Sequence, residues 1–267
     1  MISAQTAIAR LRWDLAISTL LHRMLIGAAL LTMFADAVFG DRFFRGSLLL
    51  AVIGTVWLVL MFRSVKGSQI AAASPMLIAA GQWDQAEQVI DQALRGFSLI
   101  RVVKLRALHH LAMLRHAQRQ WAETAVLCQA LLEQKLAAAT GLSRSARLML
   151  ANALLEAGDL AGTYHALVAL YQQRLSLNEA LQLTSIQADY LARVQAWESL
   201  AEGIEKKVEL AELMPPEPSA RTQALLALAA KHVGRGDWER YLRRRVELLA
   251  DVKELVAHRP ELGSLWA

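Results

Sequence analysis

Residues able to do chemistry are sparse in this chain. Of its seven histidines, only His109, His110 and His116 cluster. On a helix His109 and His116, seven residues apart, share one face. Two imidazoles with no carboxylate close by in sequence make a poor metal site, because zinc and its relatives take three or four protein ligands. The single cysteine, Cys128, lies inside a helical pattern and reads as a buried structural thiol. There is no Gly-rich phosphate loop, no HExxH, no GxSxG and no cysteine pair. No catalytic, metal or cofactor-binding residue is therefore assigned, no cofactor is expected, and the chain is not expected to be an enzyme.

Two charged features remain. Asp36 is the one charged residue in the apolar stretch 24–39. An ionisable residue within a membrane segment is a functional hypothesis in itself, so an alternative reading makes the chain a component of a membrane enzyme or transport complex. The second feature is residues 92–122, which hold no Asp or Glu but carry Arg95, Arg101, Lys104, Arg106, Arg115 and Arg119. Three readings of this stretch stand: a basic groove for an acidic peptide, a patch facing anionic lipid headgroups, or an ordinary solvated face. Glu198, Glu202, Glu205, Glu209 and Glu212 form an acidic stripe of the self-solubilising kind. The triplet Arg243–Arg245 comes without a binding motif or interleaved aromatics, so no nucleic-acid partner is expected.

The elements that must carry these residues follow from the apolar pattern. The chain has 267 residues, 55% hydrophobic and 20% charged, with a net charge of +5. That composition excludes a disordered chain, and one cysteine excludes a disulfide scaffold. The apolar excess concentrates in two runs. Residues 47–62, SLLLAVIGTVWLVLMF, hold no charge and as a helix would span about 24 Å, with Arg45 and Arg63 able to snorkel at either end. Residues 24–39 precede them across the short connection Gly40–Gly46. Residues 1–66 are thus expected to form a membrane anchor with helices at about 24–39 and 47–63, making the chain a two-pass integral membrane protein. The late start of the first run and the lack of a small-residue cleavage pattern after the second favour a retained anchor over a cleaved signal. Arg10, Arg12, Arg23, Arg63 and Lys66 flank the hairpin on one side, Arg42 and Arg45 on the other. The positive-inside rule then places both ends, and the domain that follows, in the cytoplasm.

Residues 67–267 read as helical repeats. Good helix formers dominate, and a polar turn followed by a large residue recurs at Trp83, Trp121, Leu160, Trp197 and Trp238. Nine positions before each marker stand Ser74, Ala112, Ala151, Ala188 and Ala229, all small, as closely packed antiparallel helices require. Three positions after stand Ala86, Thr124, Thr163, Leu200 and Tyr241. The spacing predicts helix–turn–helix units with Trp83, Trp121 and Trp197 buried at the hinges. The prolines at 215, 216 and 218 must interrupt helices, and the tail from His258 is expected to fray, with Trp266 docking back.

The pattern resembles the tetratricopeptide repeat, most closely in the first unit, with Gly81, Trp83, Ala86 and Ala93. It departs from that family in its period of about 38 residues against 34 and in lacking a closing proline. The layout of a two-helix membrane hairpin followed by such repeats is also similar to that of HemY-type inner-membrane proteins. The resemblance implies an all-α fold: a transmembrane helical hairpin, then a tetratricopeptide-like α-solenoid of about five repeats. It further implies that first helices line a groove, which would turn Arg106, His109, Met113 and His116 toward a bound protein or peptide partner, an acidic one by charge. The expected function is a non-catalytic, membrane-anchored scaffold for protein–protein interaction.

Overall fold

A computed structural model describes residues 2–39, 43–98, 100–139 and 141–266, and of their side chains those outside 35–50 and 138–139. Asp36, Arg45 and the phenylalanines of the 40–46 connection therefore lie outside the described side chains. The chain is all-α. Among the described residues there are fifteen α-helices, one terminal 3-10 helix and no strand. The chain divides into two compact units, Met1–Met149 and Leu150–Ala267.

The first unit opens with α1 (Ala4–Phe39) and α2 (Phe43–Ala72), both longer than the apolar runs within them. Two helical segments, Ala4–Phe34 and Ala51–Ala79, are long and apolar enough to cross a membrane, and few of their apolar side chains are buried. Leu20, Met24, Leu30 and Phe34 on α1, and Val52, Leu58, Val59 and Phe62 on α2, are all exposed. An apolar surface of this extent is unusual for a protein surrounded by water alone.

The other half of each helix is built into the helical domain. On α1 the buried residues are Ala4, Ala7, Leu11 and Ser18, and half-buried Asp14 falls into the same three-four spacing that gives a helix one contact seam. Helix α2 runs unbroken past residues 66 and 67 and passes almost directly into α3 (Ser74–Ala79). Pro75 marks the join. It has no N–H for the carbonyl of Ala71, four residues back. Two other donors serve that oxygen instead: the Ser74 hydroxyl at 2.8 Å and His110 Nδ1 at 3.1 Å. Helices α4 (Trp83–Arg95), α5 (Arg101–Ala117), α6 (Trp121–Leu132), the short α7 (Lys135–Ala139) and most of α8 (Leu142–Glu156) complete this unit.

The second unit holds α9 (Leu160–Tyr171), α10 (Leu177–Arg193), α11 (Trp197–Ala201), α12 (Ile204–Glu212), α13 (Pro216–His232), α14 (Gly236–Leu249) and α15 (Val252–His258). Helix α13 is its centre, buried almost continuously from Ser219 to Ala230. Five of those residues are alanine, which lets neighbouring helices approach closely. The proline-rich stretch starts this helix, with Pro216 at its first position, where a missing N–H costs nothing. The expected frayed tail is instead ordered. Leu262 and Leu265 are buried, Trp266 Nε1 donates to Glu247 at 2.9 Å, and Arg259 reaches buried Asp189 at 2.7 Å.

The recurring turn has one geometry. Gly81, Arg119, Gly158, Gln195 and Gly234 all have positive φ, between 56° and 82°. After each, a backbone N–H reaches back five residues: Gln82 to Leu77, Gln120 to Arg115, Asp159 to Leu154, Ala196 to Leu191 and Arg235 to Ala230. This is the Schellman closure of a helix C-terminus. It sets α3–α4, α5–α6, α8–α9, α10–α11 and α13–α14 as helix–turn–helix pairs. The left-handed positions are 38, 39, 37 and 39 residues apart. The last unit is thus more regular than the Trp238 marker suggests, because its turning residue is Gly234 and Trp238 is the third residue of α14. The small column Ser74, Ala112, Ala151, Ala188 and Ala229 is buried throughout.

The tryptophans do not do what their spacing predicts. Trp83 is 44% exposed, and Trp121 and Trp197 are half-buried. Each is the first residue of its helix, and a first-turn side chain lies over the end of the hairpin. The residue three positions on faces the partner helix, and Ala86, Thr124, Thr163 and Leu200 are fully buried there. Trp197 gains cover by stacking on His232, with ring centroids 4.5 Å apart.

Candidate interaction site

Helix α5 carries most of the acid-free stretch, and the fold has distributed its cations unevenly. Lys104 is 1% exposed, with Nζ 2.7 Å from Asp14 of α1 and 2.6 Å from the carbonyl oxygen of Leu94. Arg115, also 1% exposed, donates to Glu87 at 2.9 Å, to the carbonyl oxygen of Ile2 at 2.6 Å and to Gln118 at 2.7 Å, and pairs with Glu123 at 3.0 Å. Arg95 pairs with Asp91 at 2.6 Å, and Arg101 donates to the Thr19 hydroxyl of α1. A guanidinium or ammonium this deeply buried needs such partners. Lys104, Arg101 and Arg115 hold α1 and the residues before it against the domain. Glu87 serves both ends of that joint, because it also accepts from the Ile2 N–H at 2.6 Å. Burial alone would raise its pKa. The hydrogen bonds from Arg115 and Ile2 outweigh burial and hold the carboxyl below its ordinary range.

Arg106 and Arg119 are the exceptions. Both are exposed, and neither has an acidic partner among the described residues. Arg106 lines a cleft of about 300 Å³ together with Ser68, Ala71, Ala72, Pro75, Val103 and His110. Burial, opposed by the bond to Ala71 and aided by the charge of Arg106, holds the His110 pKa below its ordinary value.

The four residues of the expected groove follow one face of α5 by register, but they differ in accessibility. Arg106 is exposed; Met113 and His116 are half-buried. His116 packs edge-on against Trp121 with centroids 5.2 Å apart. His109 is 6% exposed, and its Nε2 lies 3.0 Å from the Ser145 hydroxyl of α8. Burial, with a smaller contribution from His110, lowers its pKa to about 4. At neutral pH His109 is thus an uncharged packing group between α5 and α8. Cys128 is fully buried, and burial pushes its thiol up to about 12, as expected for an inert structural thiol. Among the described residues, no three His, Cys, Asp or Glu side chains are grouped to hold a metal ion.

A second surface went unread in the sequence. On α9, Tyr164, Val168 and Tyr171 are exposed at the four-then-three spacing that puts residues on one helical stripe. The Tyr190 ring of α10 lies 6.4 Å from that of Tyr164. The opposite side of α9 is buried through Thr163, Ala166, Leu167 and Leu170. The spacing was visible in the sequence, but only packing shows which of the two apolar faces is left in solvent.

Compared with protein families, curated proteins and solved structures, the chain matches no family model, no curated protein and no solved structure.

Proposed function

We propose that this protein is a membrane-anchored, non-catalytic scaffold that holds a protein partner beside the bilayer on helical hairpins of the tetratricopeptide-repeat kind. One observation carries the reading most: α1 and α2 are each one helix that is apolar and exposed in one half and clamped into the hairpins in the other. A first unit joined to its anchor in this way has no slack, and it presents its own surfaces at a fixed height. The five Schellman-closed turns and the buried small column support the tetratricopeptide-like repeat. Because the inner halves of α1 and α2 both pack on α5, both chain ends lie on one side if both helices cross. The excess of Arg and Lys at that end favours the cytoplasm.

Among partner surfaces the α9 stripe has the aromatic character typical of binding hot spots. On α5 the accessible part of the expected groove is Arg106 with the flanks of Met113 and His116. The test is photo-crosslinking in intact membranes from Tyr164, Tyr171, Met113 and, as a control, Leu248. One discrete adduct from the α9 or α5 positions and none from Leu248 is the expected result. Adducts absent from every position, or equal at all four, would overturn the scaffold reading.

A further inference from the structure

The cleft beside α2 lies just past the apolar half of that helix, and its chemistry is specific. Three elements line it: α2, α3 and α5. None of them contains an Asp or Glu. The exposed cations nearest the apolar surface are Arg23 on α1 and Arg63 and Lys66 on α2. Like Arg106, they have no acidic partner among the described residues. Height fits as well. Phe62 is the last residue of the charge-free run and Ser68 is the first residue of the cleft. Six residues of helix separate them, about 9 Å. The headgroup layer on each side of a bilayer is roughly 5–8 Å deep. With the charge-free run in the hydrocarbon core, the Ser68 side of the cleft is then at the outer edge of the headgroups.

The walls divide into two kinds. Ala71, Ala72, Pro75 and Val103 are apolar, whereas Arg106, Ser68 and His110 are polar. Arg106 presents a planar fork of donors suited to phosphate. His110 keeps Nδ1 on Ala71 and Ser74, which fixes its ring against the wall. We propose that this cleft binds the headgroup of an anionic phospholipid, with the phosphate on Arg106. Arg63 and Lys66 then add the general attraction of a basic collar for the same leaflet. The site gives the anchor a preferred depth and lipid. It rests on the membrane insertion proposed above but not on the identity of any protein partner.

The test uses the full chain reconstituted into phosphatidylcholine nanodiscs with or without phosphatidylglycerol, with retained lipid counted by native mass spectrometry. Wild type is expected to retain phosphatidylglycerol over phosphatidylcholine. R106Q should reduce that preference by about fivefold or more, the equivalent of about 1 kcal/mol for one basic residue at a membrane surface. R106K should recover part of it. R119G removes an exposed cation at the far end of α5 and should leave the preference unchanged. An undiminished preference in R106Q, or an equal loss in R119G, overturns the assignment. So does full competition by inorganic phosphate, which would make the ligand a free anion. A chain that fails to enter nanodiscs at all would instead refute the membrane reading, and this site with it.

Discussion

Replacing Asp14 with Asn tests the joint between α1 and α5. Lys104 Nζ is almost wholly removed from water and has two partners, Asp14 at 2.7 Å and the Leu94 carbonyl at 2.6 Å. The amide keeps the shape of the carboxylate but not its charge. The ammonium is left buried with one neutral acceptor and an amide. Breaking one side of a buried pair costs about 3–5 kcal/mol. For a unit of this size each kcal/mol lowers the melting temperature by roughly 2–4 °C, which gives a drop of roughly 6–20 °C. The double variant D14L/K104M removes both charges and keeps the volume, and apolar replacement of a buried pair is often neutral or better. It should therefore recover most of the loss, and the two single variants should be strongly non-additive in a double-mutant cycle. The assay is thermal unfolding of the full chain in detergent, followed by hydrogen exchange of α4 and α5 amides so that the first unit is read separately. The same reasoning holds that residues 67–267 expressed alone will be poorly folded, because α1 supplies Asp14 and the Ala4–Ala7–Leu11 seam. The sequence boundary between anchor and repeats at residues 66 and 67 does not show this dependence. A D14N loss under about 1 kcal/mol, or a double variant as damaged as the single ones, would refute the argument.

Two other outcomes follow from the same structure. Burial and His110 hold the His109 pKa at about 4, below its ordinary 6.5, so as pH falls the unfolded chain takes up the proton first. Stability of the first unit is full above pH 6.5 and is lost as pH falls toward 4, by about 3 kcal/mol. Urea titrations across that range should show the slope, and H109Q should flatten it partly, since His110 is shifted the same way. At the turns, Gly81 has a φ of 72° and open space where a Cβ would be. G81A should thus cost about 1–2 kcal/mol from backbone strain alone, while R119G relieves the same strain at φ 58° and should stabilise the chain in a thermal melt.

Much of the architecture is written in local pattern. Helix-forming composition fixes an all-α chain, because nothing in it alternates with a strand's period. The charge-free run 47–62 makes an apolar helix by itself. The recurring turn and its small column are legible because each depends on a residue's own size or backbone freedom: alanine at a close approach, glycine at positive φ. Even the seam of α1 is present as Ala4, Ala7, Leu11, Asp14 and Ser18. Its residues are small or polar, and a hydrophobic pattern does not register them.

What the tertiary structure decided is which charges and rings remain free. The stretch 92–122 looks like a basic face because its counter-charges lie elsewhere in the sequence. Asp14, Glu87 and Glu123 reach Lys104 and Arg115 only once α1, α4 and α6 pack on α5, whereas Asp91 meets Arg95 within α4 itself. That packing leaves Arg106 open on the cleft and buries His109, three residues away, against Ser145. No sequence spacing separates those two fates. A carboxylate distant in sequence meets its cation through the fold, and the coulombic and desolvation energies that decide a residue's role depend on that distance in space.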